Sequence, residues 1–187
     1  MINQTIKQTI EILIRTDARA LQQLKLVADI GPKASFIAAG FVRNRVWDAL
    51  YDPKPVAAEA DVDVVYFCQN DVSPECDYAY EADLEAADPN TDWQVRNQAR
   101  MHDFGGHEPF VSLDNALMYW PETATSVGVR LHETRENEFV APFGFDDLQN
   151  HILRIAPAMK AKNPQGFDVR LKAKGWLKRW PRLRVIR

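Results

Sequence analysis

The stretch Ala39-Gly40-Phe41-Val42-Arg43-Asn44, followed further along by Asp61-Val62-Asp63-Val64-Val65-Tyr66, decides how the rest of this chain is read. Residues 35–39 are a short apolar run that ends at Gly40 and fits a buried strand. Val42, Val46 and Leu50 then recur at every fourth residue, so a helix begins just after the glycine. Its other side carries Arg43, Asn44, Trp47 and Asp48. Residues 61–67, rich in valine and aromatics, read as the next strand. On a strand, residues two apart share a side. The carboxylates of Asp61 and Asp63 therefore converge, while Val62 enters the core.

Two oxygen ligands this close suit Mg²⁺ (or Mn²⁺), which usually keeps waters and takes further ligands from phosphates. An Asp-x-Asp unit alone also marks many exposed strand ends, so its surroundings matter. Gly40 permits close backbone approach by a ligand, and the helix N-terminus behind it favours phosphate. Arg43, in the first turn, could hold a phosphate bidentately. Its alternative is a surface ion pair with Asp48.

Outward from this unit the pattern alternates. Ile6, Ile10, Leu13 and Ile14 repeat at helical spacing. Thr16 or Asp17 can cap a second helix that carries Leu21, Leu24 and Val27 inward, stopped by Gly31-Pro32. After Asp52-Pro53 and Pro55, a polar connection leads to Ala60. Residues 75–87 read as an acidic helix closed by Asp88-Pro89-Asn90. Residues 93–96 fit a third strand, with a helical turn over 97–102 that ends at Gly105-Gly106. Residues 127–131 and 138–141 read as strands paired in a hairpin. Residues 145–155 read as a helix with Leu148, Ile152 and Ile155 along one side. The remainder, from Pro164, is mixed, with Trp176 and Trp180 at helical spacing. Strands and helices alternate, so the fold class is α/β (α+β), a small mixed β-sheet flanked by helices. One domain spans 1–187: N-terminal helices over 1–30, a sheet core over 31–141, and a C-terminal extension over 142–187.

Composition narrows the function classes. Hydrophobic residues make up 46% of the 187, enough for a core, so the chain is not of the disordered class. No apolar run approaches the roughly 20 residues that span a bilayer, and residues 1–7 lack the layout of a signal peptide. A cytoplasmic protein without a membrane partner is expected. Cys68 and Cys76 form neither a disulfide framework nor a Cys-x-x-Cys unit. His107, His132 and His151 share no metal-ligand spacing. The net charge of −3 is unevenly spread. Beyond Asp168 every charged residue is basic, eight in all, and the basic tail over 169–187 faces a body with 15 basic and 26 acidic residues. Such a tail either steers a polyanion such as RNA or pairs with the acidic body.

The quoted segments resemble an uncharacterised bacterial nucleotidyltransferase-like family of the DNA polymerase beta-like superfamily. The likeness extends through Asn97-Gln98-Ala99-Arg100-Met101-His102, Pro121-Glu122-Thr123-Ala124-Thr125, residues 143–148, Lys174-Gly175-Trp176 and Trp180-Pro181. It implies a small mixed sheet and a two-metal transfer in which an NTP is attacked at its α-phosphate and pyrophosphate leaves. Asp61 and Asp63 match the paired carboxylates of the superfamily, as catalytic and metal-binding residues, and Gly40 matches its glycine. Gly40, Arg43, Asn44, Asn97 and Arg100 are the candidates to bind substrate. For Asn97 and Arg100 the alternative is a set of hydrogen bonds joining strand to helix. Two positions depart from the pattern. Phe41 follows the glycine where Gly or Ser is usual, and the third carboxylate is missing. Gln94 occupies the best-placed position for it, and Asp92 is expected to be out of phase.

The leading function is therefore metal-dependent nucleotidyl transfer from an NTP to an unknown acceptor, RNA or a small molecule. A non-catalytic nucleotide-binding or regulatory module is the alternative if the missing carboxylate is decisive. A nucleic-acid-binding protein that stacks bases on Trp176 and Trp180 of its tail is a third reading.

Overall fold

Thr5 and Gln8 start the chain's first helix by capping each other. The Thr5 hydroxyl accepts from the Gln8 N–H, and the Gln8 side chain accepts from the Thr5 N–H at 2.8 Å. This computed structural model describes residues 5–56, 61–131 and 137–187. Residues 1–4, the end of the expected connection at Ala60, and His132 lie outside them.

Helix α1 (Ile6–Arg15) buries Ile10 and Ile14, one turn apart. Asp17 caps α2 (Ala18–Ile30) by accepting from the Ala20 N–H, and Gly31 ends it, with Leu24 and Val27 inward. Strand β1 (Phe36–Ala38) runs into α3 (Gly40–Asp48), and β2 (Val62–Tyr66) follows. Helix α4 (Pro74–Ala87), opened by its proline, crosses over to β3 (Trp93–Asn97). A 3-10 turn over Gln98–Arg100 leads into α5 (His102–Gly105), then α6 (Leu113–Leu117). Strands β4 (Gly128–Leu131) and β5 (Asn137–Val140) pair antiparallel, as expected of the hairpin. Then come α7 (Asp146–Gln149), β6 (Ile152–Arg154), α8 (Pro157–Lys162), α9 (Pro164–Ala173), α10 (Trp176–Arg179) and β7 (Arg184–Ile186).

The main sheet has the order β3-β2-β1-β4-β5. Only β2 and β3 are parallel in it, joined by the α4 crossover, and the other pairs are antiparallel. It is the mixed sheet flanked by helices that the sequence predicted. Val62, Val64, Tyr66, Trp93 and Val95 point into the same core as Ile10, Leu24 and Leu84 of the covering helices. Strands β6 and β7 form a separate parallel pair. No helix among the described residues is long and apolar enough to cross a membrane.

Two expectations fail here. Residues 145–155 are not one helix: α7 stops at Gln149, His151 takes a φ of +58°, and Ile152–Arg154 pairs with β7. Leu148, Ile152 and Ile155 are buried as the spacing required, but strand pairing from a distant segment satisfies the same apolar positions. Helix α3 is also not amphipathic in the predicted sense. Val42 and Val46 are buried as expected, but Arg43 and Trp47 are buried too because a second layer covers the helix's polar-looking side, and Leu50 lies past the helix end at Asp48 and is exposed.

Candidate active site

Strand phase sets the site. Asp63 is paired in register with Gln94 across the parallel β2–β3 ladder, and Ala38 lies on β1 at the other side of β2. Since Val62 and Val64 face the helix-covered core, Asp63 and Gln94 project from the opposite face. Asp92, two residues before Gln94, shares its phase rather than opposing it. The Asp92 carbonyl accepts from the Val62 N–H at 2.8 Å, which sets Asp92 beside Asp61 at the exposed start of β3. Among the described residues, no three His, Cys, Asp or Glu side chains are grouped so as to hold a metal.

The turn from β1 into α3 carries an unusual backbone. Ala39, not Gly40, adopts a positive φ (+53°, ψ −120°), a conformation that costs an L residue on the order of 1–3 kcal/mol. It is held by the Ala39 N–H donating to Val127 and the Ala39 carbonyl accepting from Arg43, at 3.0 and 3.1 Å. The turn aims the N-terminus of α3 toward the aspartates. Alanine has no capping side chain, so the first N–H groups of α3 stay open to an anion. At Gly40 the need is space: a Cβ there would sit 3.2 Å from the Asn44 amide nitrogen.

That amide positions Arg43. The Asn44 side-chain oxygen accepts from Arg43 Nε and Nη2 at 3.2 and 2.9 Å, and Thr125 accepts from Nη1 at 2.7 Å. The guanidinium also lies 4.6 Å from the centroid of the Trp176 ring. Arg43 is 5% exposed, and burial pushes its pKa down to about 10, against the pull of Glu122. It keeps its charge at neutral pH, and two of its five N–H groups remain for a ligand. The alternative for Arg43, a surface pair with Asp48, does not form. Asp48 instead accepts from Arg179 at 2.6 Å and from the Trp180 indole at 2.8 Å.

The layer over α3 is the C-terminal segment. Arg170 pairs with fully buried Glu122, Arg179 with Asp48, and Arg187 with Asp168. Trp176 and Trp180 are buried against Arg43 and Trp47, so neither presents a free face to an RNA base. Lys174 and Lys178 remain without an ion-pair partner among the described residues. Both line a cavity of about 870 Å³ that also holds Gly40, Arg43, Asp61 and Asp63. Three of the tail's eight cations are therefore held in ion pairs, while Lys174 and Lys178 share a cavity with the carboxylates.

Asp63 carries the electrostatic signature of this arrangement. Burial, then the neighbouring Asp61 carboxylate, push its pKa up to about 6, although Lys174, Arg170 and Arg43 pull the other way. A divalent cation fits the site on chemical grounds. Two carboxylates supply oxygen ligands, and their mutual repulsion is what such an ion relieves.

The structure separates two other candidates from this group. Asn97, on β3, is of opposite phase to Gln94. Its oxygen accepts from the Cys68 and Ala99 N–H groups, and its nitrogen donates to the Cys68 and Asp71 carbonyls. Arg100 is ion-paired with buried Asp77, which also accepts from Tyr66 at 2.7 Å. Both therefore serve the strand-to-helix junction and line no part of the aspartate cavity. Sequence reading gave Thr125, Lys174 and Lys178 no site role. Only their membership in the resembling segments and the tail hinted at one.

Residues 25–185 match the nucleotidyltransferase family. A protein whose NMR structure reveals a CCA-adding enzyme head domain is 32% identical, with a TM-score of 0.81 over 97% of each chain. A CCA-adding enzyme in complex with CTP is 14% identical, with a TM-score of 0.62 over 95% of this chain and 43% of that one. The Thermotoga maritima CCA-adding enzyme complexed with tRNA gives 14% and 0.61 over 95% and 42%. The chain thus spans under half the length of these two enzymes, and its likeness to them is one of fold. No protein of curated function matches it. With a family match along most of its length and a strand-phased carboxylate pair under an open helix N-terminus, the chain belongs to the nucleotidyltransferase family.

Proposed function

We propose that this chain moves a nucleotidyl group from an NTP to a hydroxyl of its acceptor, with Asp61 and Asp63 holding Mg²⁺ or Mn²⁺ at the triphosphate. The supporting observation is one cavity in which both carboxylates face Arg43, Lys174 and Lys178 across the N-terminus of α3. The α3 N–H groups and Arg43 bind phosphate oxygens, and Lys174 and Lys178 offset the remaining negative charge. When bound, the cation supplies Lewis-acid stabilisation of charge on the α-phosphate and on the departing pyrophosphate. The acceptor oxygen bonds to the α-phosphorus as its proton leaves to Asp63 or water, and the bond from that phosphorus to the bridging oxygen breaks. Structural relatives solved with CTP, with ATP and with tRNA support an NTP donor and an RNA acceptor.

Incubation with each α-labelled NTP, Mg²⁺ or Mn²⁺, and total RNA tests this directly. Label should pass to RNA with the wild type and not with Asp61→Asn/Asp63→Asn. Thermal shifts give a second reading, since ligand at 100 times its Kd stabilises by roughly 2.7 kcal/mol. Equal shifts in wild type and double variant would remove the aspartates from the nucleotide site.

A further inference from the structure

Asp63 borders two cavities. One is the cationic cavity on the β1 side of β2. The other lies on the β3 side, about 360 Å³, where Asp63 and Gln94 meet His107, Phe110, Tyr119 and Trp120. Its walls are aromatic: the Tyr119 ring centroid is 4.3 Å from that of His107 and 4.8 Å from that of Phe110. Phe104, also lining it, is 85% exposed, a large apolar side chain left in water. The charged groups nearby are already engaged. Arg96 is ion-paired with Glu81, and Lys162 donates to the Gly105 and Gly106 carbonyls at 2.8 Å. By contrast, the Gln94 amide has no hydrogen-bond partner among the described residues.

From this we infer that the aromatic cavity is the acceptor subsite, and that it takes a nucleobase at the acceptor's reacting end. The inference rests on the nucleotidyl-transfer reading. In-line displacement brings the attacking oxygen from the side opposite the leaving pyrophosphate. With the triphosphate on the β1 side of Asp63, the acceptor enters from the β3 side. Aromatic side chains stack on the face of any base, and a free amide offers one donor pair and one acceptor to a base edge. Phosphate would find no unpaired cation among the described residues that line it. Either the terminal nucleoside of an RNA or a free nucleoside presents this chemistry.

The 21.4 kDa chain is within reach of NMR with labelled aromatic rings. The donor site is first saturated with Mg²⁺ and a non-hydrolysable NTP carrying a methylene between the α- and β-phosphates. Adenosine, cytidine and a five-nucleotide single-stranded RNA are then titrated separately. The ring signals of His107, Phe110 and Tyr119 should move with nucleoside or RNA and not with the donor alone. Phe104→Ala and Tyr119→Ala, both at exposed rings, should each weaken the titration about tenfold. A response to RNA only would make a polymer end the acceptor, and a response to both would include small acceptors; each supports the subsite. Ring signals that move with the donor alone would assign the cavity to the donor base and overturn the inference. Silent rings with an intact donor response would overturn it while leaving the proposed function standing. With no donor response as well, both fall.

Discussion

Asp63 joins an electrostatic cost to a use. A carboxyl with a pKa raised to about 6 from an ordinary 3.8 favours the fold when protonated. The stability it contributes is full below about pH 4 and is lost as pH rises through 6. Without metal, Asp63→Asn should therefore be more stable than wild type at pH 8, by on the order of 2 kcal/mol. The gap should close as the pH is lowered to 4. Melting curves in EDTA across this range check it, and identical melting at pH 8 would count against a strained carboxylate pair. Gln94 is the neighbouring lever. Its register with Asp63 means that Gln94→Glu adds a third carboxylate beside the first two. Manganese binding followed by calorimetry should tighten by tenfold or more, while the metal-free protein melts lower through like-charge repulsion. An unchanged Kd would mean that the Gln94 side chain does not reach the metal.

At the scale of elements, α3 and α9 do complementary work. Helix α3 brings its open N-terminus to the aspartates, because Ala39 alone joins it to β1 beside their cavity. Helix α9 lays the C-terminal segment over it through Arg170, which meets Glu122 at 2.7 Å. Glu122 is fully buried, and its second oxygen has no hydrogen-bond partner among the described residues. Removing one member of such a pair leaves an uncompensated charge in the interior, a loss of roughly 3–5 kcal/mol. Arg170→Ala should show that loss in urea unfolding, and Glu122→Gln in the same chain should restore part of it. A purely additive double variant would show that the two side chains are not coupled.

For the whole molecule, five of the tail's eight positive charges fall into two groups. Arg170, Arg179 and Arg187 are in ion pairs within the fold, while Lys174 and Lys178 face the cavity. Lys174→Ala/Lys178→Ala should weaken Mg²⁺–NTP binding and make it less sensitive to salt, with little change in melting temperature. Arg179→Ala should do the reverse, lowering melting by freeing Asp48 while leaving the salt dependence alone. Titrations at low and high salt, with melting curves on the same samples, separate the two groups.

Much of this could be read locally. Thr5 with Gln8, Asp17, Gly31 and the proline opening α4 mark helix ends through contacts within a few residues. The alternation of Asp61-Val62-Asp63 places its carboxylates on one face by strand geometry alone. Composition and order of elements gave the mixed sheet. What surrounds those faces was not local. Arg43 was legible as a phosphate ligand but not as a buried one, because beyond Trp47 its cover is Trp176, far along the chain. For Asn97 and Arg100 the sequence left substrate binding and strand-to-helix hydrogen bonds open, and Asp77 and Cys68, distant in sequence, take up their hydrogen bonds. Residues 145–155 kept their predicted burial but not their helix, since pairing with β7 satisfies the same apolar positions. The chain alone therefore determined where elements begin and which residues share a side. Tertiary structure alone decided which sides are covered, because a hydrogen bond or ion pair depends on where its partner is in space, and neighbours in space need not be neighbours in sequence.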